Sequence, residues 1–333
     1  MPRNKVVLWR PMYHPLGHRL LEEAGADVVI IDSDDVGELK QALHSASALW
    51  VRAPERVTAN VLDAGKQLVA VSSSGFGTDN IDIAAASARG ILVVNHHGFG
   101  RVPVSEHAIL LTLAAMKRLV WGDKGVRDGT AWFSRSDMSL GELGGTTVGI
   151  VGIGFVGSEL ARKLKYGFDC RVIGYDPYAD PRLTTLASVE MVSTLPDLLR
   201  HCKVLILTPS LTDETRNMIG AAQLSALPKG AIVINVGRGQ ALDHDALAAA
   251  LESGHVLAAG LDVFYPEPLP SDHPLLSNPR VAFSPHIAGN TSEATAGLSQ
   301  SAAEQIVACL KGERPRFAVN PAAWEGAASR RPE

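Results

Sequence analysis

The sequence predicts an α/β protein built from two doubly wound parallel sheets, the larger inserted into the chain of the smaller. Three observations predict it. Short apolar runs alternate with amphipathic stretches through the first part of the chain, and the same alternation restarts at Thr146. A glycine turn, Gly152-Ile-Gly154-Phe-Val-Gly157, follows the first apolar run of the second series. Strand–helix repeats of this kind imply crossover connections and a sheet covered on both faces.

Taken in order, Val6–Trp9, Val28–Ile31, Ala48–Val51, Leu68–Val71 and Ile91–Val94 read as strands. Residues 16–24, 36–44, 58–64 and 81–88 read as the helices between them. This unit ends near Gly98, and a helix apolar on nearly every side runs from about Val104 to Val120, as at a domain or subunit contact. A polar, aromatic stretch from Arg127 to Met138 follows. The second series has strands at Val148–Val151, Arg171–Asp176, Val204–Thr208, Ala231–Val236, Val256–Asp262 and Val281–Ser284, with helices notably at 155–166 and 243–253. A last helix near 291–311 is expected to return to the first unit. That makes residues 1–102 with 291–333 one domain and 103–290 another. Residues past Trp324 are small and polar and read as a frayed tail.

The 333 residues suit two domains at roughly 100–200 residues each. A net charge of −4 and the absence of a long basic run speak against nucleic acid. No apolar run is long enough for a bilayer or a signal core. Cys170, Cys202 and Cys309 are scattered, which fits a reducing cytoplasm and no cysteine-held metal.

In the glycine turn the first glycine permits the bend, the second lets backbone approach a pyrophosphate, and the third lets helix and strand pack closely. The helix start offers N–H groups and partial positive charge to phosphate. This is a Rossmann-type fingerprint. Asp176 ends the next strand, where a carboxylate accepts hydrogen bonds from the adenosine ribose and repels a 2′-phosphate, so NAD is expected over NADP. Arg182 is the nearest arginine and would soften that preference.

Three further residues sit in distinct phrases: Arg238 in Asn235-Val-Gly-Arg-Gly239, Glu267 in Asp262-Val-Phe-Tyr-Pro-Glu-Pro268, and His286 in Ser284-Pro-His-Ile-Ala-Gly289. Hydride transfer to a 2-keto acid needs a held carboxylate, a polarised carbonyl and a proton source. Arg238 has the planar fork and permanent charge for the first two, with Gly237 and Gly239 letting backbone lie close to the ligands. His286 is the expected proton donor and acceptor, oriented by Glu267. Alone, each is ordinarily a solvated or structural residue. Together with the fingerprint they point to dinucleotide chemistry on a small 2-keto or 2-hydroxy acid.

These phrases resemble the D-isomer-specific 2-hydroxyacid dehydrogenase family, which includes phosphoglycerate, lactate and hydroxypyruvate/glyoxylate dehydrogenases. The resemblance runs from about Lys5 to Pro321. It implies a flavodoxin-like substrate domain around the Rossmann-type one, and Arg238, Glu267 and His286 as catalytic residues. It implies pyrophosphate contacts from Phe155 and Val156, Asp262 on the nicotinamide amide, and Thr208, Val236, Gly237 and Gly289 in the cofactor site. Ser73-Ser-Gly-Phe-Gly77 resembles the family's substrate loop, with Ser74, Gly75 and Phe76 facing a carboxylate as an anion nest does. Arg52, at the end of the preceding strand, resembles an arginine that phosphoglycerate-type members place near the substrate's charge. The helix region near 104–120 forms a dimer contact in this family, which implies a homodimer and makes Trp132, beside Phe133 and Arg135, a candidate selectivity residue.

The chain departs from the family at His97 and Gly100, where a proline and an asparagine are usual, and near Thr208 and at Ser210, where a histidine and a proline are usual. Ser73 stands where phosphoglycerate-type members often have arginine, which points away from a phosphorylated substrate. Arg52, Arg101, His96 and His97 hint that a second anionic group is tolerated. Adjacent histidines rarely face one ion, so no metal is expected. The competing reading is an NAD(H)-sensing, corepressor-like protein of the same fold.

Overall fold

The computed structural model describes residues 4–138 and 140–330. The N-terminal segment runs β1 (Lys5–Trp9), α1 (Leu16–Glu23), β2 (Asp27–Ile31), α2 (Val36–Leu43), β3 (Ala46–Val51), α3 (Ala59–Leu62), β4 (Ala70–Ser72), α4 (Ile83–Ala88) and β5 (Leu92–Val94). The middle segment runs α5 (Arg101–Met116), α6 (Leu119–Arg127), α7 (Ala131–Ser134), β6 (Thr147–Val151), α8 (Phe155–Phe168), β7 (Arg171–Tyr175), α9 (Pro181–Leu186), β8 (Glu190–Met191), α10 (Leu195–His201), β9 (Val204–Leu207), α11 (Ala221–Ser225), β10 (Ala231–Asn235), α12 (His244–Glu252), β11 (Val256–Leu261) and β12 (Val281–Phe283). The chain closes with α13 (Ser292–Lys311) and α14 (Trp324–Ser329). It divides into a discontinuous unit, Met1–Gly100 with Gly289–Glu333, and a continuous one, Arg101–Ala288.

The discontinuous unit holds a five-stranded sheet in the order β2-β1-β3-β4-β5, every pairing parallel. Its β3 is buried throughout, as a strand covered on both faces must be. One face packs Leu39, Leu43, Val61 and Leu62 against Val7, Leu49 and Val71. The other packs Ala302, Ala303 and Ile306 of α13 against Val6, Leu8, Leu21 and Trp50. Gly17 admits this contact, since a Cβ there would lie 2.7 Å from the Ser299 carbonyl oxygen.

The continuous unit holds a seven-stranded parallel sheet in the order β12-β11-β10-β9-β6-β7-β8. The order reverses between β6 and β9, the topological switch point beside which such sheets bind ligands at their carboxyl ends. Helix α5 lies on β10 and β11, where Gly260 leaves room for it: a Cβ there would lie 2.8 Å from the Leu111 Cβ.

Three expectations need correction. The apolar helix ends at Met116 rather than Val120, because Arg118 takes a left-handed conformation (φ 51°) and α6 starts anew after it. The segment past Trp324 is helical through Ser329, with Ala327 fully buried. Arg330 fastens it by donating to the carbonyls of Leu68 (2.8 Å), Arg89 (2.9 Å) and Gly65 (3.2 Å), contacts that no local composition announces. The short elements β8, α9, α10 and α11 were given no bounds from the sequence: β8 is an exposed two-residue edge strand and α9 buries no residue.

Candidate active site

The dinucleotide fingerprint stands at the switch point. Gly152 turns at φ +89°, and a Cβ on it would lie 2.8 Å from the Pro209 Cα. Thr208 closes the turn by donating its hydroxyl to the carbonyls of Gly152 (2.7 Å) and Val151 (3.1 Å). At Gly157 a Cβ would overlap the Gly152 carbonyl oxygen, so only glycine lets α8 start this close to β6. Gly154 differs: nothing lies within 4 Å of where its Cβ would stand. It is the N-cap of α8, with no side chain capping the helix. That open, uncapped helix start fits a pyrophosphate.

Asp176 follows β7 and accepts from the N–H groups of Ile153 (2.8 Å) and Tyr178 (2.9 Å), so its carboxylate is fixed beside the glycine turn. Arg182 does not counter it. Its guanidinium is paired with Asp180 at 2.8 Å. Tyr178 instead donates its hydroxyl to Glu214 at 2.9 Å, adding another carboxylate nearby.

Arg238, Glu267 and His286 follow the adjacent strands β10, β11 and β12. Asn235 shapes the first loop, donating to the Arg238 carbonyl (3.0 Å) and accepting from the Gly237 N–H (3.1 Å). A Cβ on Gly239 would overlap the Phe264 carbonyl oxygen, so the arginine loop lies directly on the loop that carries Glu267. Glu267 Oε2 accepts from His286 Nδ1 at 3.0 Å, which leaves Nε2 as the ring's other nitrogen. His286 sits at φ 54°. Asp262, 1 % exposed, holds this turn: Oδ1 accepts from the Ser284 hydroxyl (2.6 Å) and the Ile287 N–H (3.0 Å), and Oδ2 from the Ala288 N–H (3.0 Å). His107 Nε2 on α5 lies 2.7 Å from the Ser284 hydroxyl. The sequence reading missed His107 and Ser284. The available signal for His107 was a histidine within a long, mostly apolar helix.

The residues expected to add substrate contacts, Arg52 and Ser74–Phe76, lie in the discontinuous unit, after its strands β3 and β4. Arg52 follows β3 with its guanidinium 5.0 Å from the centre of the Tyr13 ring, and its Nε is buried without a hydrogen-bond partner. Ser74, Gly75 and Phe76 follow β4, and the Phe76 ring is half exposed. Gly289 opens the second segment of this unit.

The other cations suggested for a second anionic group are engaged. Arg101 pairs with the buried Glu159 at 3.4 Å, and Arg162 first, then Arg101 and Lys163, hold that carboxyl below its usual range. His96 is 1 % exposed and burial pushes it down to about 4. The His97 ring stacks on Phe317 at 4.5 Å. Trp132 is exposed, and the Phe133 side chain lies outside the described residues.

The comparisons with known proteins agree with this architecture. The family model described as "D-isomer specific 2-hydroxyacid dehydrogenase, NAD binding domain" matches residues 109–288. A D-3-phosphoglycerate dehydrogenase of Archaeoglobus fulgidus is 37% identical over 300 residues, covering 90% of this chain and 56% of that protein. The chain thus spans little more than half the length of that relative. A glyoxylate reductase of Thermofilum pendens is 35% identical over 327 residues, covering 96% of this chain and 95% of that one. The crystal structure of the TT0316 protein from Thermus thermophilus superposes with a TM-score of 0.86 at 31% identity, covering 95% of this chain and 99% of that one. The glycine turn at the switch point, the matched domain and full-length relatives together place the chain in the D-isomer specific 2-hydroxyacid dehydrogenase family, with the continuous unit as its NAD-binding domain.

Proposed function

We propose that the protein is an NAD-dependent oxidoreductase acting on a small 2-keto or 2-hydroxy acid. The hydrogen bond between His286 Nδ1 and Glu267 carries this reading. It fixes the ring and reserves Nε2 for a proton passing to or from the substrate oxygen. Arg238 holds the substrate carboxylate and polarises the carbonyl. Bound nicotinamide supplies or accepts the hydride. Gly152, Gly154, Phe155, Val156 and Gly157 cradle its pyrophosphate, Asp176 takes the adenosine ribose, and Thr208, Val236, Gly237, Asp262 and Gly289 complete the cofactor site.

Beside Arg238 and His286, we assign further substrate-binding residues to the discontinuous unit. Ser74, Gly75 and Phe76 receive a carboxylate, and Arg52 beside Tyr13 meets the substrate's distal group. Arg101 is held by Glu159 and His96 is neutral, whereas Arg52 forms no ion pair among the described residues and its Nε has no hydrogen-bond partner. This favours a keto acid with at most one further charged or polar group. We also propose a homodimer through the exposed Leu110, Leu119, Val120, Val126 and Trp132 of α5–α7, and a cytoplasmic location.

The test is NADH oxidation with glyoxylate, hydroxypyruvate, pyruvate, 2-ketoglutarate, phosphohydroxypyruvate and sulfopyruvate, with NADPH in parallel. Turnover that collapses in His286→Ala is the expected result. Tight NADH binding with no turnover on any acid would overturn it and favour a sensing role.

A further inference from the structure

We propose that His96 is a positioning residue: with Gln305 it locks the carbonyl groups of the Ser73–Phe76 loop to one side, so that its N–H groups face a substrate carboxylate on the other. The inference rests on the substrate role assigned above to that loop.

The carbonyls are held one by one. Ser73 O lies 3.1 Å from His96 Nε2 and also accepts from the Ser72 hydroxyl at 3.0 Å. Gly75 O accepts from the His96 backbone N–H at 3.0 Å and from the Ser73 hydroxyl at 2.7 Å. Phe76 O accepts from the Asn95 side-chain amide at 2.8 Å. The peptide bonds here are trans, and in a planar trans peptide the N–H points opposite to the carbonyl. Fixing these three carbonyls on residues 72–73 and 95–96 therefore turns the N–H groups of Ser74, Phe76 and Gly77 away from them. Successive N–H groups presented this way form an anion-binding concavity. The His97 ring, edge-on to Phe76 at 4.9 Å and stacked on Phe317, steadies the same loop from its far end.

The neighbours of His96 dictate its tautomer. The Ser72 hydroxyl donates to Ser73 O, so it must accept at its other contact, His96 Nε2, 3.0 Å away. Ser73 O can only accept. Nε2 therefore carries the hydrogen, and Nδ1 is an acceptor. Facing Nδ1 are the Gln305 amide nitrogen (2.9 Å) and the Ser301 hydroxyl (3.0 Å). Gln305 is itself oriented: its oxygen accepts from the Phe317 N–H at 2.8 Å, and its nitrogen donates to Asn95 O at 2.9 Å. A chain of directed hydrogen bonds thus runs from α13 through a buried, neutral imidazole to the loop.

Two substitutions separate the ends of this chain. The His96→Asn side chain reaches about as far as Nδ1 and keeps the Gln305 contact. The His96→Gln side chain reaches about as far as Nε2 and keeps a donor for Ser73 O. Each is assayed with the best-turned-over acid of the panel above, together with NADH affinity, thermal midpoint and hydrogen exchange of a peptide spanning residues 72–77. The expected result is a KM raised roughly tenfold or more in His96→Asn, with NADH affinity unchanged and exchange of the loop faster, and a KM within about threefold of wild type in His96→Gln. If both variants lose thermal stability alike and keep the wild-type KM and loop exchange, His96 is only structural and this inference falls alone. A wild-type protein that turns over no keto acid removes the substrate role of the loop, and this inference with it.

Discussion

The N–H of His286 donates to the main-chain carbonyl of Asp262 at 2.8 Å, and the next two N–H groups, of Ile287 and Ala288, donate to the Asp262 carboxylate at 3.0 Å each. One aspartate thereby holds three consecutive peptides of a turn in which His286 has φ 54°. A left-handed conformation costs a non-glycine residue about 1–2 kcal/mol, so the turn persists because these bonds over-determine it. Asp262→Ala leaves the Ile287 and Ala288 N–H groups and the Ser284 hydroxyl without their acceptor, a loss of about 3 kcal/mol or more. Ser284→Ala removes two hydrogen bonds, those to Asp262 and His107, about 1–2 kcal/mol in all. Calorimetry should rank the melting points wild type, Ser284→Ala, Asp262→Ala, with turnover falling in the same order. Asp262→Ala melting with the wild type would show that the turn needs no such support.

Glu267 fixes His286 through one hydrogen bond at a partly exposed position, so its effect is on orientation rather than stability. Glu267→Gln should lower kcat by roughly 10- to 100-fold with little change in melting temperature or NADH affinity. An unchanged kcat would remove Glu267 from the reaction.

The fingerprint glycines separate folding from binding. Gly154→Ala places a methyl group in open space and should fold with an unchanged melting temperature, yet bind NADH at least about tenfold more weakly. Gly157→Ala drives a methyl group into the Gly152 carbonyl and should destabilise the protein by about 2 kcal/mol or more. Titration of cofactor fluorescence beside thermal melts distinguishes the two. Wild-type NADH affinity in Gly154→Ala would place the pyrophosphate elsewhere.

Cofactor choice should follow the acidic cluster at the end of β7. Asp180 pairs with Arg182 across 2.8 Å, while Asp176 accepts from two N–H groups and pairs with no cation among the described residues. The double variant Asp176→Ser, Asp180→Ala removes one carboxylate and releases the guanidinium. The ratio of kcat/KM for NADPH over NADH should rise by about 100-fold or more. A ratio that does not move would mean the ribose is read by other residues.

His96 also links stability to pH. Burial pushes its pKa down to about 4, against about 6.5 for a free histidine. Between these values the unfolded chain binds the proton and the folded one does not. The neutral ring's contribution is therefore complete above about pH 6.5 and declines as pH falls toward 4, by about 3 kcal/mol in all. Denaturant melts of wild type and His96→Asn at pH 7 and 4.5 should show a smaller acid loss in the variant. Equal losses would assign the acid sensitivity to other groups.

Much of the fold was legible because its signals are local. Parallel strands buried on both faces need continuous apolar runs, and β1, β3, β6, β9 and β10 show them. Elements with little or nothing buried, such as β8 and α9, carry no apolar run to register, and the place of β8 is set by the sheet it extends. The end of α5 was misread for a related reason. Leu119 and Val120 continue the apolar composition, and only the backbone at Arg118 breaks the helix.

The sequence by itself determined the family phrases: the glycine turn, and the loops of Arg238, Glu267 and His286. Each is a short stretch whose backbone needs particular residues at particular places. Only the tertiary structure decided which charges remain available. Arg101 and Arg182 look alike in sequence to Arg52, yet Glu159 and Asp180 engage them. It also decided that His107 and Ser284 stand behind Asp262, and Gln305 behind His96. Hydrogen bonds and ion pairs act over about 3 Å between groups far apart along the chain, so they exist only once the sheets have brought them together.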